Sequence, residues 1–387
     1  MPTFYLISGE VSGDTHGAEL ISSLRSSLGN QGEREPRFLG LGGPRMRDEA
    51  PEITDWLDDA AVLGLWEVAK KYSYFSKKMD ETLREILELK PDVVVLIDYP
   101  GFNLRLAKAL RQKAYKGKIA YYISPQVWAW KRGRIKEMAK TLDLMLCIFP
   151  FEKELYEMSG LPTEFVGHPL IDELEEKKIE TKRDPYLVGL FPGSRKREVQ
   201  ALYPIMLETA RILSDKWPNL RFVTAAVNES MAKTLEQASK SAGIDVEVHC
   251  PASNGSSHFG TTDVHALMQQ VGVAVIASGT ATLEAAYFRL PYCLTYKVNW
   301  LTAQIAKLVM KVEYLGIVNN LAGREVVREL LQEKATPPAI AVEMARLLTD
   351  AKARQQLSKE LGEIADQLGE GGTHIRAAEE ILKLVNR

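Results

Sequence analysis

Short apolar runs recur along the first half of the chain, separated by longer stretches in which apolar positions return every three or four residues. "TFYLISG" (3–9), "PDVVVLID" (91–98), "GKIAYYIS" (117–124) and "LDLMLCIF" (142–149) read as strands buried on both faces. "GAELISSLRSSL" and "ETLREILELK" between them have helical periodicity. This alternation predicts an α/β fold with parallel sheets covered by helices on both sides. The pattern pauses at the charged stretch "DELEEKKIETKRDPY" (172–186) and restarts with "LVGLFPGSR" (187–195), "LRFVTAAV" (220–227), "DVEVHC" (245–250), "VAVIAS" (273–278) and "LPYCLTY" (290–296). The charged stretch is read as a linker. It gives doubly wound, Rossmann-like domains at 1–175 and 176–345. The amphipathic helical tail, 346–387, could pack back on an N-terminal domain, its own or that of a partner in a homodimer.

The length supports this division, because 387 residues exceed what one hydrophobic core usually serves. The 49 basic and 51 acidic residues leave a net charge of −2 and no global electrostatic reason to bind nucleic acid. Cys147, Cys250 and Cys293 are scattered in apolar contexts and read as core thiols in a reducing compartment. The N-terminus "MPTFYLISGE" lacks the cationic region of a signal peptide, and no run approaches the ~18 apolar residues of a membrane span. A cytoplasmic protein is expected.

Ligands of doubly wound sheets bind beyond the carboxyl ends of the strands, so motifs there carry most weight. The first strand runs into "SGEVSGDTHGAEL", with Gly9, Gly13 and Gly17 four apart and Glu10, Asp14 and His16 in the same turn. The spacing is not G-x-G-x-x-G, which argues against a nicotinamide or flavin. The plain alternative makes Ser12 or Asp14 a cap of the following helix and His16 exposed. In "VVVLIDYPGFN" an acid, Asp98, ends an apolar strand before the chain-reversing pair Pro100-Gly101. Asn103 stands nearer the next helix and is the better-placed cap, which frees Asp98 for chemistry.

Two further strand ends carry glycine loops. "LFPGSRKREVQ" places Gly193, Ser194 and Arg195 before a helix, and "VIASGTATLEAAY" places Ser278, Gly279 and Thr280 likewise, with Glu284 one turn on. Backbone N–H groups and a guanidinium there suit a diphosphate, with Glu284 placed for a ribose hydroxyl. The alternative is a pair of well-capped turns. Two aromatic and basic stretches remain. "LWEVAKKYSYFSKKM" (65–79) puts Leu65, Val68, Ala69, Tyr72, Phe75 and Met79 on one helical face opposite lysines, as an interfacial helix or a core-packed surface helix does. "SPQVWAWKRGRIKEM" (124–138) sets Trp128 and Trp130 beside Lys131, Arg132 and Arg134.

"SGEVSGDTHGAEL", "IDYPGFN", "YYISPQVWAWKRGRIKEM", "FPFEKELYEMSGLPTEFVGHPL", "LFPGSRKREV", "ASGTATLEAAY" and "NNLAGREVVREL" together resemble the lipid-A-disaccharide synthases, a family of bacterial glycosyltransferases, in family order from residue 8 to about 330. The resemblance implies a GT-B fold with a cleft between its domains, the nucleotide in the C-terminal one and the acceptor mainly in the N-terminal one. It implies transfer of 2,3-diacylglucosamine from UDP-2,3-diacylglucosamine to 2,3-diacylglucosamine 1-phosphate with inversion, giving a β-1,6 disaccharide and UDP without metal or other cofactor. Asp98 matches the family's I-D-x-P-x-F-N element and is the expected base, with Glu10 as its rival or as a partner that divides the work. Val318 stands where the family has Pro, so the functional Asn aligns with Asn319, as a sugar or phosphate ligand, and Arg324 could neutralise diphosphate. Acylated substrates imply a peripheral place on the inner face of the inner membrane. Trp66, Phe75, Trp128 and Trp130 are then candidates for acyl contact and Arg132 for the acceptor phosphate, and His168 is read as structural. Another UDP-sugar transferase or a UDP-sugar epimerase on the same fold is the alternative, and a non-catalytic nucleotide-binding protein is a third reading.

Overall fold

The structure, a computed structural model, describes residues 2–29, 35–60, 65–130, 132–251, 260, 262–299, 304 and 312–385, without the side chains of 59, 60, 65–72, 130 and 132. The chain divides into unit 1, Met1–Asp172 with Leu368–Arg387, and unit 2, Glu173–Gln367. Unit 2 thus runs beyond residue 345, where the sequence pattern placed its end. The tail is shared: the helix Ala351–Asp366 lies in unit 2, and the helix Thr373–Val385 packs on the helix Val11–Gly29 of unit 1.

Unit 1 is a seven-stranded parallel sheet built from β1 (Thr3–Ile7), β2 (Arg37–Gly42), β3 (Ile53–Asp55), β4 (Val93–Ile97), β5 (Lys118–Tyr122), β6 (Leu144–Cys147) and β7 (Thr163–Phe165), in the order β3-β2-β1-β4-β5-β6-β7. Unit 2 has six parallel strands, β8 (Asp184–Phe191), β9 (Arg221–Ala225), β10 (Glu247–His249), β11 (Val271–Ala277), β12 (Tyr292–Tyr296) and β13 (Glu329–Leu331), in the order β10-β9-β8-β11-β12-β13. Both orders reverse direction once, between β1 and β4 and between β8 and β11. These are the topological switch points, where the connections part to opposite sides and leave a crevice. Register sets Ile7 beside Leu96 and Phe191 beside Ile276, so the segments leaving each pair emerge side by side.

The apolar runs account for the central strands. All five residues of β4 are buried, and each such side chain removed from water contributes roughly 1.5–3 kcal/mol. β2, β3, β7 and β13 were not anticipated: β2 is interrupted by two glycines, and the others are three-residue edge or near-edge strands without a periodic signature. Cys147, Cys250 and Cys293 are buried and unbridged. Among the described residues no helix is long and apolar enough to cross a membrane.

The glycine-rich turn after β1 serves packing more than the sequence suggested. A Cβ at Gly13 would lie 2.6 Å from Ser8 Oγ, and one at Gly17 would lie 2.4 Å from Met46 Sδ. Asp14 does not cap its own helix. Its Oδ1 accepts from the N–H of Gly43 (2.7 Å) and Met46 (3.0 Å), and its Oδ2 from Arg45 N–H (3.0 Å), so it caps the helix Pro44–Glu49 across the sheet surface. His16 is not exposed either, because its ring stacks on His374 at 5.6 Å.

Candidate active site

At the switch point of unit 1 the chain leaves β4 through two consecutive left-handed residues, Asp98 (φ 44°) and Tyr99 (φ 48°). Side chains other than glycine enter this region at a cost of about 1–3 kcal/mol each, so the turn must be held by its surroundings. Asp98 N–H continues the ladder to Tyr122 O (3.0 Å), and Asp98 C=O accepts from Tyr121 Oη (2.5 Å) and Asn103 Nδ2 (2.7 Å). Two sequence expectations change here. The reversal is made by Asp98-Tyr99, with Pro100 already the first residue of the helix Pro100–Gln112, because its fixed φ suits that position. Asn103 is not the cap. It lies fully buried in the helix, and its amide also reaches Ile97 O (3.2 Å) and Ile7 O (3.4 Å), binding the turn to the ends of both strands.

The Asp98 carboxyl is half-buried. Burial, reinforced by the charge of Glu10 and opposed by the Tyr99 N–H, pushes it up to about 6. Glu10 is exposed at the end of β1, the neighbouring strand, so the structure brings the two carboxylates to one edge. Aromatic rings surround the turn. A Cβ at Gly9 would fall 2.3 Å from the Tyr99 ring, which meets Trp56 edge-on at 5.9 Å. Trp56 donates its indole N–H to Ser8 O (2.6 Å) and packs on Phe102 at 5.0 Å. Tyr99, Trp56 and Tyr121 were missed in the sequence. Only the aromatic directly after the acid was a local cue; Trp56 and Tyr121 reach the turn through tertiary packing.

Two of the expected lipid-contacting aromatics are committed to the fold. Trp128 is 6% exposed, donates to Glu152 Oε1 (2.8 Å) and sits edge-on to Phe151 at 4.9 Å, because a buried indole must satisfy its N–H. Glu152 is fully buried, which pushes its carboxyl up to about 7 against the hydrogen bonds it receives. Phe75 turns inward, edge-on to Trp56 at 6.3 Å, as expected of a core-packed rather than a lipid-facing stretch. Trp66 lies in the helix Leu65–Leu89, and its side chain, like those of Trp130 and Arg132, lies outside the described residues. His168, expected to be structural, accepts at Nδ1 from Leu170 N–H at 3.2 Å.

The switch point of unit 2 has a different make-up. β8 ends at Pro192-Gly193, and Gly193 takes φ 97°, where a Cβ would also meet Glu198 Oε2 at 2.6 Å. Arg195 is the first residue outside the helix Lys196–Lys216, and its side chain is 81% exposed. Glu198 Oε2 accepts from Arg195 N–H (3.4 Å), and Glu198 Oε1 pairs with Arg195 Nη1 (3.1 Å). An anion already occupies these donors, as expected at a helix N-terminus. Beside it, β11 runs into Ser278, Gly279 and Thr280, the last two exposed, and the helix Ala281–Tyr287 follows. Glu284, one turn along, is half-buried with Oε2 3.3 Å from His265 Nε2.

Asn319 and Arg324 do not join these loops as expected. Asn319 is buried with its amide saturated: Nδ2 donates to Val327 O and Glu329 Oε1 (both 2.8 Å), and Oδ1 accepts from Val326 N–H (2.8 Å) and Val327 N–H (2.9 Å). An amide has two donor hydrogens and two acceptor sites, so nothing is left for a sugar or phosphate. Its work is to close the segment 314–329. Arg324 pairs with Glu360 (2.9 Å) on the helix Ala351–Asp366.

A model of the lipid-A-disaccharide synthetase family matches residues 4–381. A lipid-A-disaccharide synthase of Trichlorobacter lovleyi is 38% identical over 396 residues, covering 99% of this chain and 97% of that protein. One of Geobacter metallireducens is 36% identical over 391 residues, with coverages of 99% and 97%. Among solved structures, a UDP-GlcNAc 2-epimerase from Neisseria meningitidis bound to UDP-GlcNAc superposes with a TM-score of 0.60 at 13% identity, covering 99% of this chain and 100% of that one. That last likeness is one of fold, and it agrees with two parallel Rossmann-like sheets of the GT-B kind. With the family match running nearly end to end, this chain belongs to the lipid-A-disaccharide synthetase family.

Proposed function

We propose that the protein transfers 2,3-diacylglucosamine from its UDP derivative to 2,3-diacylglucosamine 1-phosphate with inversion, and that Asp98 is the general base. The observation that carries the reading is an acid at the switch point of unit 1 whose carboxyl is pushed up to about 6. The acceptor's 6-hydroxyl is a poor nucleophile, and a base that takes its proton as the new bond forms typically contributes ~10²–10⁴-fold. A carboxyl with a value near 6 is ionised at neutral pH and is a stronger proton acceptor than an ordinary aspartate. Glu10 raises the basicity of Asp98 and binds acceptor hydroxyls.

The departing UDP gathers negative charge, and the Gly193–Arg195 and Ser278–Thr280 loops supply the N–H and guanidinium donors that meet it. Glu198 swings away from Arg195 as the diphosphate arrives. Glu284 takes a ribose hydroxyl. Because both substrates carry acyl chains, the enzyme works at a membrane surface.

The test is to incubate the purified protein with UDP-2,3-diacylglucosamine, with and without 2,3-diacylglucosamine 1-phosphate, and to follow UDP and product. UDP release that depends on the acceptor, with stoichiometric disaccharide, is expected. Release without acceptor, or conversion of the donor to an epimer, contradicts the reading.

A further inference from the structure

Behind the Gly279 loop, one histidine stands between two acids. Asp263 caps the helix Val264–Gln270, its Oδ1 accepting from His265 N–H at 2.8 Å, and the same oxygen is 3.2 Å from His265 Nδ1. The other ring nitrogen, Nε2, is 3.3 Å from Glu284 Oε2. The ring is buried, 6.0 Å from that of Phe288. Nδ1 makes no hydrogen bond at that distance, so the ring's polar contact is the one between Nε2 and Glu284. Burial alone would lower the basicity of His265, but the hydrogen bond and charge of Glu284, with the charges of Asp263 and Glu173, leave it raised. Among the described residues, those three carboxylates are the charged groups that act on it. Gln269 Nε2 bonds the His265 carbonyl (3.1 Å), not the ring.

Glutamate has three rotatable bonds, and a free carboxylate one turn beyond the loop would wander. With one oxygen held by a buried ring nitrogen, the carboxylate is fixed in direction. We infer that His265 is the positioning residue that holds Glu284 for the ribose hydroxyls of the nucleotide, an inference that rests on the ribose role proposed for Glu284.

The experiment titrates UDP and 2′,3′-dideoxy-UDP into the full chain by calorimetry. A charge-assisted hydrogen bond to ribose predicts that the wild type prefers UDP by about 10- to 100-fold. Glu284→Ala should remove most of that preference. His265→Leu should remove it equally while leaving dideoxy-UDP affinity unchanged, and the double variant should lose no more than Glu284→Ala alone. His265→Gln, which keeps an N–H toward Glu284, should restore part of it. A merely structural role would weaken both nucleotides alike. Full preference in His265→Leu overturns the clamp while Glu284→Ala still reports on the ribose contact. No preference in the wild type, or full preference in Glu284→Ala, overturns the ribose role and the clamp with it. Should the His265 variants fail to fold, the ¹⁵N resonance of the His265 Nε2 in the wild type decides. A shift on adding UDP that dideoxy-UDP does not produce supports the clamp, and an equal response to both nucleotides overturns it.

Discussion

The β1/β4 edge of unit 1 and the β8/β11 edge of unit 2 occupy the same place in two sheets wound alike, and they are built from opposite materials. The first is strained and aromatic, with two left-handed non-glycine residues, a turn pinned by Tyr121 and Asn103, and an acid lifted to about 6. The second is glycine-lined and open, with an exposed arginine and exposed Gly279 and Thr280. Topology fixes where a crevice forms; the residues at the strand ends fix what chemistry it can do. A proton acceptor gains from partial dehydration, whereas an anion site needs reachable donors.

The largest expected effect breaks the first edge. Asp98→Asn should lower kcat by about 10²–10⁴-fold while leaving UDP affinity, measured by calorimetry, at the wild-type value. Turnover near normal would remove Asp98 as the base.

The next breaks the second edge. Gly193→Ala asks an alanine to adopt φ 97° with its Cβ 2.6 Å from Glu198 Oε2. It should weaken UDP binding by roughly 10-fold or more, the equivalent of about 1.4 kcal/mol, with a far smaller change in kcat at saturating donor. Unchanged UDP affinity would detach this loop from the nucleotide.

The smallest effect sharpens the contrast through stability. The folded value of Asp98, about 6, lies above its ordinary 3.8. Its contribution is therefore fully present below about pH 3.8 and lost as pH rises through 6. Asp98→Asn should be more stable than the wild type by about 1–2 kcal/mol at pH 8, a discount on the full shift for partial exposure, and not at pH 4. Urea unfolding at the two pH values measures the difference, and an inactive variant that is also more stable at pH 8 separates a catalytic role from a structural one.

What could be read from the chain follows the range of the interactions involved. β4 announces itself as a continuous apolar run and Asp98 as the acid that ends it, because both are local patterns. The glycine loops after β8 and β11 are local too. Asp14, Asn103 and Asn319 were misread because their partners lie far along the chain or in loops without periodicity, at Gly43, Ile7 and Val327 respectively. Trp128 and Phe75 look alike in sequence whether they face lipid or core, and only the positions of Glu152 and Trp56 decide. His265 gave no signal, since its carboxylate partner Glu284 is supplied by another element.

The pH dependence of kcat/KM tests the central claim most directly. If Asp98 is the base, the rate should fall on the acid side with an apparent value of about 6, and Glu10→Gln should move that limb down without abolishing it, since burial, the larger cause, remains. An acid limb near the ordinary carboxylate value of 3.8, unmoved by Glu10→Gln, would contradict the account.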